Sequence, residues 1–159
     1  MIFNFLEWLN GSWVGQAATA PELEWLFLLI QAVHLLSMVV LGGTVLLTDM
    51  RLMGWVLTDV SSHRIADAAH RWFKWSLCII VISGIYMVSA IYLKAYYNFA
   101  FRAKMLGLLV GIIFVWAIKR PLLSRDHSDI QPWLLKTVAS ASIALWFTVA
   151  CCGRWIGFS

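Results

Sequence analysis

Long uncharged runs set the pattern of this chain. Trp25 to Leu47 holds no Asp, Glu, Lys or Arg, and neither do Trp75–Leu93, Met105–Ile118 and Thr137–Gly153. Crossing about 30 Å of hydrocarbon takes roughly 20 apolar residues in a helix. The third run is short, but Lys104 and Lys119 at its ends can lay their stems along apolar surface and snorkel outward. The pattern therefore predicts spans at about 25–48, 73–93, 101–119 and 133–153. Stretches such as Leu26–Ile30 and Ile79–Ile82 are apolar on every side, unlike the alternation of a barrel strand. The predicted fold is all-α: an integral membrane four-helix bundle, one domain over residues 1–159. Residues 2–14 read as a short interfacial helix presenting Phe3, Phe5, Leu6, Trp8 and Leu9 to lipid or to the bundle. Glu7 and Asn10 interrupt this stretch and no basic region precedes it, which argues against a signal peptide, although Ala17–Ala20 resembles a cleavage site. Pro21 is placed to start the first span.

Composition agrees. Of the 159 residues, 62% are hydrophobic and 13% charged, against about 45–50% and 25% in soluble domains. Mean hydropathy is +0.81. Basic residues assign the sides. Arg51, Arg64, Arg71, Lys74, Lys119, Arg120, Arg125 and Lys136 fall on the side of the first and third connections; Lys94, Arg102, Lys104 and Arg154 fall on the other. The excess predicts that both termini face out, which in a bacterium is the periplasm. Trp25 and Trp155 mark that face, Trp55, Trp72, Trp75 and Trp133 the inner one, and Trp146 lies deeper. The net charge of +4 flanks spans, so topology and anionic lipid explain it and nucleic acid is not a partner. Cys78 is too far along the membrane normal from Cys151 and Cys152 to pair with them in one subunit.

Polar groups at membrane depth are costly and mark candidate sites. His34 lies about 14 Å inside Trp25 by helix rise, near the midplane. Gln31 and Met38, three before and four after it, share its face, and Gly42 continues that face. Three readings compete for His34: a packed, hydrogen-bonded histidine, an axial ligand to haem b, or a Cu(I) ligand with Met38 and Met87. No second histidine lies at that depth; His63 and His70 are at the inner interface and His127 in a polar loop. Met87 is the nearest second ligand in depth. Asp49 and Arg51 close the first span; two apart, they do not face each other on a helix, so each pairs elsewhere, Asp49 with Lys119 or Arg71. Lys104 and Arg154 can anchor to lipid or hold an anionic group such as a haem propionate. Gly107 and Gly111 form a GxxxG, Ala141, Ala144 and Thr148 a second small stripe, and Ser83-Gly84 a third close-packing point. The pattern is read as containing no intramembrane carboxylate of the proton-relay kind, no HExxH and no P-loop.

Three stretches taken together resemble a known family. They are Trp25 through His34 and Gly42–Thr44 to Asp49–Gly54; Tyr97–Lys104; and Leu145-Trp146 leading to Gly153–Phe158. They look like an uncharacterised family of small four-span bacterial inner-membrane proteins, distantly similar to the membrane domain of copper-resistance-D-type proteins. The resemblance covers nearly the whole chain and implies four helices and a bacterial inner-membrane location. His34 matches the family pattern. Gln31 stands where many members carry an acidic residue, and Trp116-Ala117 where many carry a histidine. The resulting expectation is a haem b-binding redox or electron-transfer module, with His34 as metal ligand and Gln31, Met38 and Met87 around the cofactor. The alternatives are a copper or small-solute transport protein, and a cofactor-free accessory subunit of a membrane complex. The expected partners are the lipid bilayer and either further copies of the chain or a larger complex.

Overall fold

The computed structural model describes residues 2–57, 60, 62–124 and 130–156, and among these there is no strand. The chain runs through α1 (Ile2–Gly11), α2 (Trp13–Thr19), a 3-10 turn at Pro21–Leu23, α3 (Glu24–Leu52), α4 (Ser62–Ala90), α5 (Tyr92–Tyr97) and α6 (Phe99–Phe114). A π-helical turn at Val115–Lys119, then α7 (Arg120–Ser124) and α8 (Pro132–Trp155), complete it. Four segments are long and apolar enough to cross a membrane: Pro21–Leu52, Arg64–Ala90, Phe99–Leu123 and Pro132–Trp155. Each outruns its uncharged core because charged residues at helix ends continue the helix. Pro21 opens the first segment as its lack of an N–H allows, and Asn98 caps α6 by accepting from the N–H groups of Ala100 and Phe101.

The N-terminal stretch is two helices rather than one over 2–14. Gly15 lies against the Asn10 carbonyl, where a Cβ would sit only 2.1 Å from the oxygen, so the α1–α2 corner needs glycine. Leu6 and Leu9 are buried, whereas Phe5 and Trp8 are exposed. The pair packs on α4 and α5 through Asn10 to the Ser89 carbonyl at 2.8 Å and Phe3 edge-on to Tyr96.

Two close helix pairings dominate. α3 packs along α4, and α6 along α8; α3 also meets α8, while α4 reaches the third span chiefly through α7. The GxxxG works as expected: a Cβ on Gly107 would come within 2.8 Å of Val149, and one on Gly111 within 3.0 Å of the Trp146 ring. The second small stripe does not pack within the chain and faces outward, the side open to another subunit. Ala141, Ala144 and Thr148 are exposed, and α8 buries Leu135, Ala139, Ser142, Trp146 and Val149 instead. Gly42 is exposed too; Leu41 and Val45 carry the inward face of α3 at that level. Leu41, Val45, Phe73, Ile80, Val115 and Trp146 form a central apolar cluster. All six belt tryptophans are exposed: Trp25, Trp133 and Trp155 sit at helix ends, Trp55 just beyond α3, and Trp72 and Trp75 within α4, while Trp146 is buried edge-on to Phe73. Cys78, Cys151 and Cys152 are free thiols.

Candidate functional site

Two polar sites interrupt the apolar interior, about 22 Å apart along α3 by helix rise. The first lies toward the end that carries both termini, the terminal end. The second lies toward the end of the first and third connections, the loop end. The central apolar cluster separates them.

At the terminal end, His34 is buried between α3 and α4. Its Nδ1 lies 2.8 Å from the Ser83 hydroxyl. Ser83 donates its own proton back to the Ile79 carbonyl one turn earlier, as a mid-helix serine commonly does. Its oxygen is then free to accept from the ring. This network assigns the imidazole proton to Nδ1 and leaves the lone pair on Nε2. Gly84 adjoins the ring: a Cβ there would stand 3.5 Å from His34 Cε1, in ordinary van der Waals contact. Gln31 and Met38 flank His34 on the α3 face, both half-buried, and Met38 packs on the central cluster. Met87 is one turn from Ser83 toward the terminal end and also half-buried; the recorded neighbours of His34 are Ser83 and Gly84.

Lys104 belongs to this site. Its side chain lies across Gly153 of α8, with Nζ 3.5 Å from where a Cβ would be. It lies in the same half of the molecule as His34, toward the terminal end. No acidic residue pairs with it among the described residues. It does not sit at the lipid surface but runs half-buried between α6 and α8. Position within the span gave no hint of this; the Gly153 groove did, once α6 and α8 were known to be antiparallel neighbours.

At the loop end, Asp49 and Lys119 form an ion pair at 2.6 Å, with side chains 0% and 4% exposed. Lys119 also donates to the Val45 carbonyl at 3.0 Å and the Ser142 hydroxyl at 3.4 Å. Its three N–H groups thus have three acceptors, one each on carboxylate, carbonyl and hydroxyl. The pairing of Asp49 with Lys119 follows the sequence; the snorkelling expected of Lys119 is overturned, because its ammonium turns inward. Asp49 is also a carboxylate buried within a spanning segment, which corrects the expectation that none exists. Arg51 pairs elsewhere, donating to the Val60 carbonyl at 2.7 Å. Lys119 closes the π turn, whose wide i to i+5 step runs from the Arg120 N–H to the Val115 carbonyl.

A cavity of about 40 Å³ touches Lys119; Thr44, Thr48, Phe73, Val115, His70 and Arg120 also line it. His70 meets Trp116 edge-on at 4.9 Å, and Arg120 lies over the same ring at 5.7 Å. His70 is therefore packed on an indole rather than freely solvated. The side chain of His63 and the whole of His127 lie outside the described residues. Among the described residues, no three His, Cys, Asp or Glu converge as metal ligands.

The chain belongs to the family of unknown function DUF6644, whose sequence model matches residues 5–159. No curated protein and no solved structure matches it.

Proposed function

We propose that this DUF6644 member is a bacterial inner-membrane four-helix bundle, its loop end cytoplasmic and both termini periplasmic, that binds haem b at its terminal end. One observation carries the reading: His34 is buried with Nδ1 on the Ser83 hydroxyl, which leaves Nε2 as the nitrogen free to ligate, and the terminal end also holds Lys104, a half-buried cation with no acidic partner among the described residues. That is a ligand for iron and a partner for a propionate. A bare metal ion takes several protein ligands, whereas a porphyrin brings four nitrogens and asks for one or two more. The donor set around His34 fits the second demand better than the first, so haem is favoured over copper. On this reading a flat ligand would enter between α4 and α6, which pack little against each other. Met87 on α4 is the candidate for a second axial ligand. When bound, haem b supplies one-electron redox chemistry. The residues' own tasks are to hold Nε2 in one tautomer, through Ser83, and to balance an acidic substituent, through Lys104.

Visible spectra of the protein purified in mild detergent test this. The expected result is a Soret band that shifts on reduction, with iron in the preparation, and its loss in His34→Ala. Absence of both the band and iron refutes the proposal. Copper bound in place of iron and lost in His34→Ala moves the assignment to copper transport.

A further inference from the structure

We propose that Asp49 and Lys119 form a proton-exchange site supplied with water from the loop end, independent of any cofactor at His34. Four observations meet there. The carboxylate is wholly buried. The lysine is held by three acceptors. The π turn that ends on Lys119 is a local departure of the sort frequent at functional sites. The cavity beside Lys119 has room for water, and Thr44, Thr48, His70 and Arg120 are among the residues around its largely apolar wall. A pair serving only to join helices gains little over well-packed apolar residues, and needs neither the cavity nor the π turn.

The geometry gives Lys119 the shuttle role. Lys119 lines the cavity and touches Asp49. Its ammonium passes one proton to the Asp49 carboxylate, leaving a neutral amine and a neutral carboxylic acid. A hydronium ion in the cavity then returns a proton to the amine and becomes water. The net change is one proton added to Asp49, with Lys119 restored, and the reverse sequence releases it. The other titratable groups facing the site are His70 from α4 and Arg120 from α7; α8 contributes the uncharged Ser142. Both His70 and Arg120 sit on the cavity wall against Trp116, His70 edge-on and Arg120 over the ring, where they tune entry without touching Asp49.

Infrared titration of the protein in lipid nanodiscs tests the proposal. The expected result is a carboxylic-acid C=O band that grows reversibly as pH falls while the fold persists, shifts in D₂O, and is missing in Asp49→Asn. Lys119→Arg separates a relay from a brace. Arginine keeps the ion pair but holds its proton, so the variant stays folded while deuterium exchange at Asp49 slows by about a hundredfold. The proposal fails if no such band appears in the folded wild type. It fails equally if the band survives Asp49→Asn, or if Lys119→Arg exchanges as fast as the wild type.

Discussion

Two lysines on the third span, fifteen residues apart, have the same apolar surroundings in sequence and different fates in the fold. Lys119 turns inward to a carboxylate, a carbonyl and a hydroxyl. Lys104 lies half-buried across Gly153 toward the terminal end, with no acidic partner among the described residues. A buried cation whose donors are all satisfied is an internal brace or relay. One placed inside the protein without a counter-charge is provision for something else. On the haem reading, that difference favours the terminal end, where the cation has no acidic partner among the described residues, over the loop end, where Lys119 is paired.

The largest effect that bears on this contrast is the loss of Lys119. Lys119→Met leaves Asp49 wholly buried and unpaired, and is expected to destabilise the protein by about 3–5 kcal/mol. Thermal or denaturant unfolding in detergent, followed by circular dichroism, measures it. Adding Asp49→Leu removes the stranded charge, so the double variant regains most of the loss. A single variant as stable as the wild type would mean that the pair is not closed, and would erase the distinction between the two lysines.

Next comes the network that sets the His34 tautomer. Ser83→Ala removes the acceptor for Nδ1–H, at about 0.5–1.5 kcal/mol of stability. On the haem reading it also weakens cofactor affinity by about 10–100-fold, the usual cost of losing an outer-shell partner of a ligating histidine. Titrating haem into the cofactor-free protein measures this. Equal affinity in Ser83→Ala would remove Ser83 from the site and leave His34 oriented by packing against Gly84 alone.

Much of this was legible in the chain, and for identifiable reasons. Four uncharged runs and the tryptophans at their ends mark the spans, because burial in hydrocarbon constrains composition over whole helices. The Gly107–Gly111 spacing marks a real close contact, because only glycine permits the 2.8 Å approach to Val149. His34 stands out as a polar group in an apolar run. What stayed hidden depends on rotation about a helix axis. α3 is apolar on several faces, so the sequence alone could not tell that Leu41 and Val45 point inward and Gly42 outward. The same holds for the α8 stripe of Ala141, Ala144 and Thr148. Lys119 illustrates it most sharply: near the end of a span the snorkelling rule sends a lysine outward, but it is silent about an acceptor set on two other helices. The pairing with Asp49 was available from charge alone; its burial was not.

The smallest expected effect is the most discriminating. Lys104→Met replaces a half-buried ammonium, unpaired among the described residues, with an apolar chain of similar length that still fits along Gly153. The cofactor-free protein is therefore expected to keep its stability within about 0.5 kcal/mol or to gain slightly, since no ion pair is broken. The same change in Lys119 costs several times more, although the residue types, the helix and the substitution are identical. In the presence of haem the picture reverses. Lys104→Met loses the partner of an acidic substituent, a charged hydrogen bond of about 1.5–3 kcal/mol, or tenfold and more in affinity. Paired measurements of melting temperature without haem and of haem affinity settle the matter on one variant. A large loss of stability without haem would make Lys104 a second brace, paired with a group that has yet to be identified. Unchanged affinity would take the propionate away from it and leave His34 to hold a cofactor without help from the third span.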